Sequence, residues 1–285
     1  MTIGSFDIEH LSEGQFDLFR DGSLQKNTTS TKKKQKKALL PDFYNELFVP
    51  VGIDPILVQG NGSVILLDTG LGFGLDSKKR DPNKSNIVTN LEVFGLHPDQ
   101  VTHVVLTHLH SDHTGGLAHA DTQSRITSTL PNARIYVQRA EWEFAVASVN
   151  EQVRTSDAPY ELDNLYRLVT NGQFEFVDDE TFEVVPGLEM IRTGGHTPGH
   201  SIVRIRDGGK AAYYFGDLIP NEDYLNFNMV PDADYEVTES RQIKMLLMKQ
   251  AFLDDAEILF YHSVHLKSGK LTRDPNRQYI LTQRS

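Results

Sequence analysis

The chain has 285 residues, of which 39% are hydrophobic and 24% charged, with a formal net charge of −11 and no cysteine. This length can bury one substantial core and no linker-like stretch divides it, so residues 1–285 read as a single domain. The acidic balance argues against a nucleic-acid partner, and the missing cysteines exclude disulfides and thiolate metal sites.

The first thirty residues carry no continuous apolar run of the signal-peptide kind, which predicts a cytoplasmic protein without membrane association. Residues 4–10 read as a first strand. The run Thr31-Lys-Lys-Lys-Gln-Lys-Lys37 reads as a solvated loop, with attraction of an anionic substrate or partner as its alternative. Residues 38–50 are rich in apolar and aromatic side chains, which suits a packed edge or the wall of a pocket. Strands at 55–59 and 64–68 join across Gly60-Asn-Gly62, where Asn-Gly is a strong hairpin signal.

Ile87, Val88, Leu91 and Phe94 fall at helical spacing, and Gly95 supplies the stop of a helix over 85–94. A strand at 101–106 leads into Thr107-His-Leu-His-Ser-Asp-His-Thr-Gly-Gly116, with Gly115-Gly116 read as the opening of a helix. Beyond it, strands are expected at 134–137, 188–191, 202–205, 211–215 and 258–261, the third and fourth paired across Asp207-Gly-Gly209. Helices are expected at 140–148 and 240–252.

His108, His110, Asp112 and His113 place four metal-binding side chains within six residues. Residues two apart on an extended strand point the same way, so His108 and His110 form a pincer at a strand end. Imidazole and carboxylate suit zinc, manganese or iron, and the lack of thiolates favours a catalytic site over a structural one. Further candidates are His196 and His200 in Thr193-Gly-Gly-His-Thr-Pro-Gly-His200, Asp217 after Tyr214-Phe-Gly, and His262 or His265 in Phe260-Tyr-His-Ser-Val-His265. Each follows an apolar run, so several strands deliver polar residues from their ends.

The combination H-x-H-x-D-H, G-H-T-P-G-H, G-D and a late His, with Leu66-Leu-Asp-Thr-Gly70 upstream, resembles the metallo-β-lactamase superfamily along the whole chain. That resemblance implies an α/β fold, the four-layer αββα sandwich. It implies His108, His110 and His196 as ligands of one divalent metal and Asp112, His113 and His262 as ligands of a second. Asp217 would bridge the two, with Asp112 and Asp217 as the catalytic carboxylates. Zinc is the first expectation for both ions, and manganese, cobalt or iron suit the same donors. His262 is preferred to His265 because it directly follows the strand. Asp68 and His200 are expected to support ligating rings from behind. His10, His97, His103 and His119 lack motif context and read as structural.

Within the superfamily, the absence of cysteine together with the presence of Asp217 sets the chain apart from the β-lactamases. The 23 residues after His262 leave no room for the helical substrate domain of glyoxalase-type thioesterases, and the acidic balance disfavours RNA. What remains resembles the branch of quorum-quenching N-acyl homoserine lactonases and organophosphate triesterases. This implies a small-molecule lactone or ester with a hydrophobic part as substrate. An organophosphate triesterase or broad arylesterase, an iron persulfide dioxygenase and a non-catalytic metal-binding protein are the alternatives. Some lactonases place a Tyr just after the bridging Asp, whereas here Leu218-Ile-Pro220 follows and Tyr224 is the nearest stand-in. The sequence fixes no oligomeric state, and a homodimer is compatible with it.

Overall fold

Apolar runs on the central strands and alternating ones at the margins sort the chain into two stacked sheets. A computed structural model describes residues 1–19, 24–26, 48–72, 85–120, 123, 125–151, 160–231 and 233–282. The Lys-rich run and residues 38–47 of the apolar segment lie outside these.

The first half supplies β1 (Thr2–Ile3), β2 (Phe6–His10), β3 (Gly14–Phe19), β4 (Leu24–Lys26), β5 (Phe48–Ile53), β6 (Ile56–Gly60) and β7 (Ser63–Leu67). Then come α1 (Asn86–Val93), β8 (His103–Val105), α2 (Ser111–Thr114), β9 (Ala118–Ala120), β10 (Ile126–Ser128), β11 (Arg134–Gln138), α3 (Arg139–Glu151), α4 (Asp163–Thr170) and β12 (Phe174–Val177). The second half supplies β13 (Thr181–Val185), β14 (Leu188–Arg192), β15 (Ser201–Asp207), β16 (Lys210–Tyr214), α5 (Val237–Leu253), β17 (Glu257–Leu259), β18 (Ser268–Arg273) and β19 (Tyr279–Leu281). One seven-stranded sheet runs β1-β2-β6-β7-β8-β11-β12 and the other runs β13 to β19 in sequence order, while β4-β3-β5 forms a small separate sheet.

Strand periodicity explains the layering. Ile56, Val58, Ile65, Leu67, Val105 and Tyr136 from the first sheet meet Leu188, Met190, Val203, Tyr214 and Tyr261 from the second. The alternate residues Leu57, Leu66, Val104 and Ile135 pack outward against Ile87 and Leu91 of α1, Ala145 of α3, and Leu165 and Leu168 of α4. On the far side Ile202, Tyr213 and Ile258 pack against Met248 and Ala251 of α5. Helices therefore cover both outer faces, giving the four-layer αββα sandwich. The inner parts of β7 and β8 are buried on both faces, which is why Ile65-Leu66-Leu67 and Val104-Val105 run apolar without alternation.

The Asn-Gly turn forms as expected, with Gly60 paired to Ser63 and both Asn61 (φ 52°) and Gly62 (φ 77°) left-handed, the requirement of a type I′ turn. Likewise β15 and β16 pair, Asp207 opposite Lys210. One expectation is corrected: the helix beside the histidine cluster, α2, precedes Gly115-Gly116 instead of starting there. The glycines serve close approach. A Cβ on Gly116 would lie 2.1 Å from the Thr69 carbonyl oxygen, and one on Gly115 would lie 2.3 Å from that of Leu71. Helix α4 and strands β3 and β13 were not anticipated from the sequence. Among the described residues no helix is long and apolar enough to cross a membrane.

Candidate metal centre

Strand ends and the short helix α2 at one rim of the sandwich bring the seven expected ligands to one place. His108 and His110 follow β8, Asp112 and His113 lie on α2, His196 follows β14, Asp217 follows β16 and His262 follows β17. They form two groups whose donor atoms lie within 4.8 Å of one another: His108, His110, His196 and Asp217 in one, Asp112, His113 and His262 in the other.

In the first group His110 Nδ1 stands 2.9 Å from His108 Nε2 and 3.3 Å from His196 Nε2. Asp217 Oδ2 faces this group, 3.5 Å from His196 Nε2 and 3.8 Å from His108 Nε2. Its other oxygen, Oδ1, faces the second group, 3.3 Å from both His113 Nε2 and His262 Nε2. Asp112 Oδ2 completes that group at 3.5 Å from His262 Nε2. The carboxylate of Asp217 thus stands between the groups with one oxygen turned to each.

Local backbone makes this placement possible. Gly216 sits at φ 51°, and a Cβ there would come within 2.9 Å of His200 Nε2 and of a Thr107 methyl carbon. Only glycine fits before Asp217, which gives the G-D pair its physical reason.

Asp68 holds the second group from behind, its Oδ2 2.8 Å from His113 Nδ1. The same oxygen accepts from the Tyr214 hydroxyl at 2.6 Å and the Thr107 hydroxyl at 2.8 Å, while Oδ1 accepts from the Thr107 N–H at 2.8 Å. His200 has another part. Its Nε2 accepts from the backbone N–H of Asp217 at 3.2 Å and its Nδ1 lies 2.7 Å from the Thr193 hydroxyl, so it positions the Asp217 backbone instead of a ligating ring. His265 is exposed and belongs to neither group. His10, His97, His103 and His119 are likewise outside both.

Several supporting residues escaped sequence reasoning. Asp234 Oδ1 lies 2.9 Å from His196 Nδ1, and the Gly52 carbonyl lies 2.8 Å from His262 Nδ1. Buried Glu141 accepts from the Leu109 N–H at 3.0 Å, the Tyr160 hydroxyl at 3.1 Å and the Thr197 hydroxyl at 2.5 Å, tying the His108–His113 loop to the His196 loop. None stands in a recognisable motif, and each meets its partner only through the fold.

The electrostatics suit cations. Burial, reinforced by His113 and His110, holds His108 well below the ordinary histidine pKa, and burial with His196 does the same to His110. Both rings are therefore neutral, the form a metal ligand needs. Burial works against charge on His113 as well, yet Asp217, Asp112 and Asp68 overcome it and raise that ring well above the ordinary value. For Asp217, burial opposes ionisation, but His262 and His113 prevail and hold the carboxyl well below the usual range. Asp112 Oδ1, His113 Nε2 and Asp217 Oδ1 are buried without a hydrogen-bond partner. Burial opposes charge on His196 and His262 too, but Asp234 and Asp217 raise the first and Asp217 the second. Neutral imidazoles at His108 and His110, an ionised Asp217, and a second group whose rings are drawn to positive charge by the carboxylates beside them fit divalent cations bound by nitrogen and oxygen, which would supply that positive charge.

A cavity of about 470 Å³ opens over the centre. His110, Asp112, His196, Asp217 and His262 form its floor, and Leu18, Phe19, Phe48, Val49 and Val51 of β3 and β5 form one wall. The opposite wall comes from the 220–231 segment, including Tyr224, Met229 and Pro231.

Fold and centre together define a four-layer α/β sandwich with a paired His/Asp site at its rim. The chain belongs to the metallo-beta-lactamase superfamily, whose sequence model matches residues 49–257. An N-acyl homoserine lactonase from Bacillus sp is 27% identical over 192 residues, covering 65% of this chain and 65% of that protein. A solved probable metal-dependent hydrolase from Staphylococcus aureus is 24% identical with a TM-score of 0.74, covering 100% of both chains. The structure of AidC, a dizinc quorum-quenching lactonase in complex with a product, superposes with a TM-score of 0.67 at 19% identity, covering 100% of this chain and 97% of that one. The chain thus matches just under two thirds of the curated lactonase's length, and the structural neighbours establish the fold.

Proposed function

We propose that the chain is a metal-dependent hydrolase that opens N-acyl homoserine lactones, with His108, His110 and His196 holding one divalent ion, Asp112, His113 and His262 a second, and Asp217 shared between them. The observation that carries this reading is the cavity that joins an apolar wall to a His/Asp floor. An acyl lactone needs both: a lipophilic surface for its chain and a polar centre at its ester carbonyl.

When bound, such ions would supply Lewis acidity toward the ester oxygen and a nucleophile drawn from water at neutral pH. The chain's own residues do the rest. Asp217 offers one oxygen to each group and so sets their separation. Asp112 adds a second anionic donor to the His113 side, and the Gly52 carbonyl at His262 Nδ1 keeps that ring turned inward. His200 holds the Asp217 backbone, while Asp68 and Asp234 fix the rings of His113 and His196. Phe19, Phe48 and Val49 offer an apolar, solvent-facing surface beside the reacting centre, on which a chain of methylenes is favoured by roughly 0.8 kcal/mol for each one buried.

The reading is supported by superfamily membership and by similarity to the Bacillus sp lactonase. It is tested by assaying short- and long-chain acyl homoserine lactones, an aryl phosphotriester and an aryl ester with protein of measured metal content. Lactone turnover that chelation abolishes is the expected result. Turnover of the phosphotriester or aryl ester alone refutes the lactone assignment while leaving hydrolysis in place. Asp217→Ala is expected to remove nearly all turnover from a soluble protein; retained turnover refutes the shared-carboxylate arrangement.

A further inference from the structure

The 220–231 segment forms a whole wall of the cavity with almost no regular structure of its own. Apart from a single turn at Glu222–Leu225, the described part has few internal backbone bonds, among them Tyr224 N–H to Asn221 and Met229 N–H to Asn226. Its two ends are fixed by the metal centre: Asp217 lies just before it, and Asp234, which contacts His196 Nδ1 at 2.9 Å, lies just after it. Its middle is held by the Ser263 hydroxyl on Glu222 at 2.6 Å, by Leu225 packed in the outer core, and by one side chain that reaches three of its carbonyls. Lys244 of α5 is fully buried, and its ammonium donates to the carbonyls of Tyr224 at 3.0 Å, Asn226 at 2.9 Å and Met229.

A lysine ammonium has three N–H donors, and here each finds a separate main-chain carbonyl. Two of those carbonyls belong to Tyr224 and Met229, whose residues line the cavity. Burying a charge is costly unless it is so satisfied, and replacing it would leave three carbonyls without their partner. Burial pushes the amine down to about 8, with Asp234 acting upward and Arg241 downward, so it remains mostly protonated at neutral pH. A bland apolar residue would fill the same helix position, so an ammonium there demands a reason beyond packing.

We propose that Lys244 is a positioning residue for substrate specificity: by clamping three carbonyls of the 220–231 segment from behind, it sets the shape of the wall against which the substrate's apolar chain rests. This rests on the cavity being the substrate site of a hydrolase, as proposed above. The wall is built from segment residues that touch the cavity on one side and Lys244 on the other. Loosening it therefore alters the fit of a long chain more than that of a short one, because only a long chain reaches past the floor residues.

The test compares the metal-loaded parent with Lys244→Met and Lys244→Gln, the latter retaining two N–H donors. Kinetics are measured on butanoyl, octanoyl and decanoyl homoserine lactones, and backbone hydrogen exchange on peptides covering 220–231 and 107–113. For Lys244→Met, the ratio of decanoyl to butanoyl KM is expected to rise about tenfold, with kcat falling less than KM rises. Exchange is expected to speed up at 220–231 and not at 107–113, and Lys244→Gln should fall between parent and Lys244→Met. Equal KM increases for short and long chains overturn the specificity role, and unchanged exchange at 220–231 overturns the clamp. If Lys244→Met fails to fold, Lys244→Gln decides on the same two readouts. If the parent opens no lactone, the function proposed above falls, and the kinetic comparison moves to p-nitrophenyl butanoate and decanoate. The exchange result judges the clamp independently of the substrate.

Discussion

Asp68 combines backbone strain with a concentration of hydrogen bonds. Its φ of 56° is left-handed, a conformation that costs a non-glycine residue on the order of 1 kcal/mol. Contacts to both Thr107 donors, His113 and Tyr214 offset that cost. Asp68→Asn keeps the shape but loses the charge facing His113. Metal affinity should fall about 10- to 100-fold with the fold retained, as measured by competition with a chelator; unchanged affinity would show that Asp68 serves the turn alone. His265→Ala, outside both groups, should leave metal content and turnover at parental levels. Residues within one motif were legible from spacing, because strand and turn geometry carry two neighbours to one side. Asp234 and Glu141 were not, because their partnership with His196 and Thr197 depends on packing between distant segments and leaves no local pattern.

At the scale of elements, α2 is held against the loop after β7 by near-contact of backbones. The Thr69 N–H donates to the His113 carbonyl at 2.7 Å, and a Cβ on Gly116 would collide with the Thr69 carbonyl oxygen at 2.1 Å. Gly116→Ala should therefore cost about 1–3 kcal/mol and lower metal content by tilting α2, which urea melts and metal analysis would reveal together. Glu13, just before β3, accepts from the Leu71 N–H at 2.9 Å and ties the strap after β7 to the small sheet. Burial raises its pKa from 4.5 to about 8, so the folded chain holds a proton that the unfolded chain has released between those values. The associated stability is full below the unfolded value and is lost as pH rises through the folded one. Urea melts should show the stability advantage of Glu13→Gln over the parent growing by a few kcal/mol between pH 5 and pH 8.5. A constant difference across that range would refute the assignment. The hairpin at Asn61-Gly62 and helices α1, α3 and α5 were visible in sequence because turn chemistry and helical spacing are local. Helix α4 and strands β3 and β13 were not, because their short segments are half-exposed and their order comes from neighbours.

For the whole molecule, the important fact is that the candidate donors come from both sheets: His108, His110, Asp112 and His113 from the first, His196, Asp217 and His262 from the second. Ions bound there would stabilise the native sandwich by mass action, since the unfolded chain has no such site. Stripping them with a chelator should lower the melting temperature by about 5–10 °C. Identical melts with and without chelator would mean that the sheets are held together without them. The layered architecture was legible as a resemblance, and the doubly buried strands explain why periodicity alone could not supply it: a strand covered on both faces loses its alternation.

The Tyr261 hydroxyl donates to the Asp112 carbonyl at 2.6 Å across a separation of 149 residues, so the centre closes only when a late strand meets an early loop. During synthesis, which proceeds at about 5–20 residues per second, the ribosome releases the first cluster of donors well before His262. We predict that truncations ending on either side of His262 differ in tightly held metal, and equal retention would refute this. A chain that stops short of Tyr261 would lack one candidate donor of the second group, His262, and the partner hydroxyl that fixes the Asp112 carbonyl.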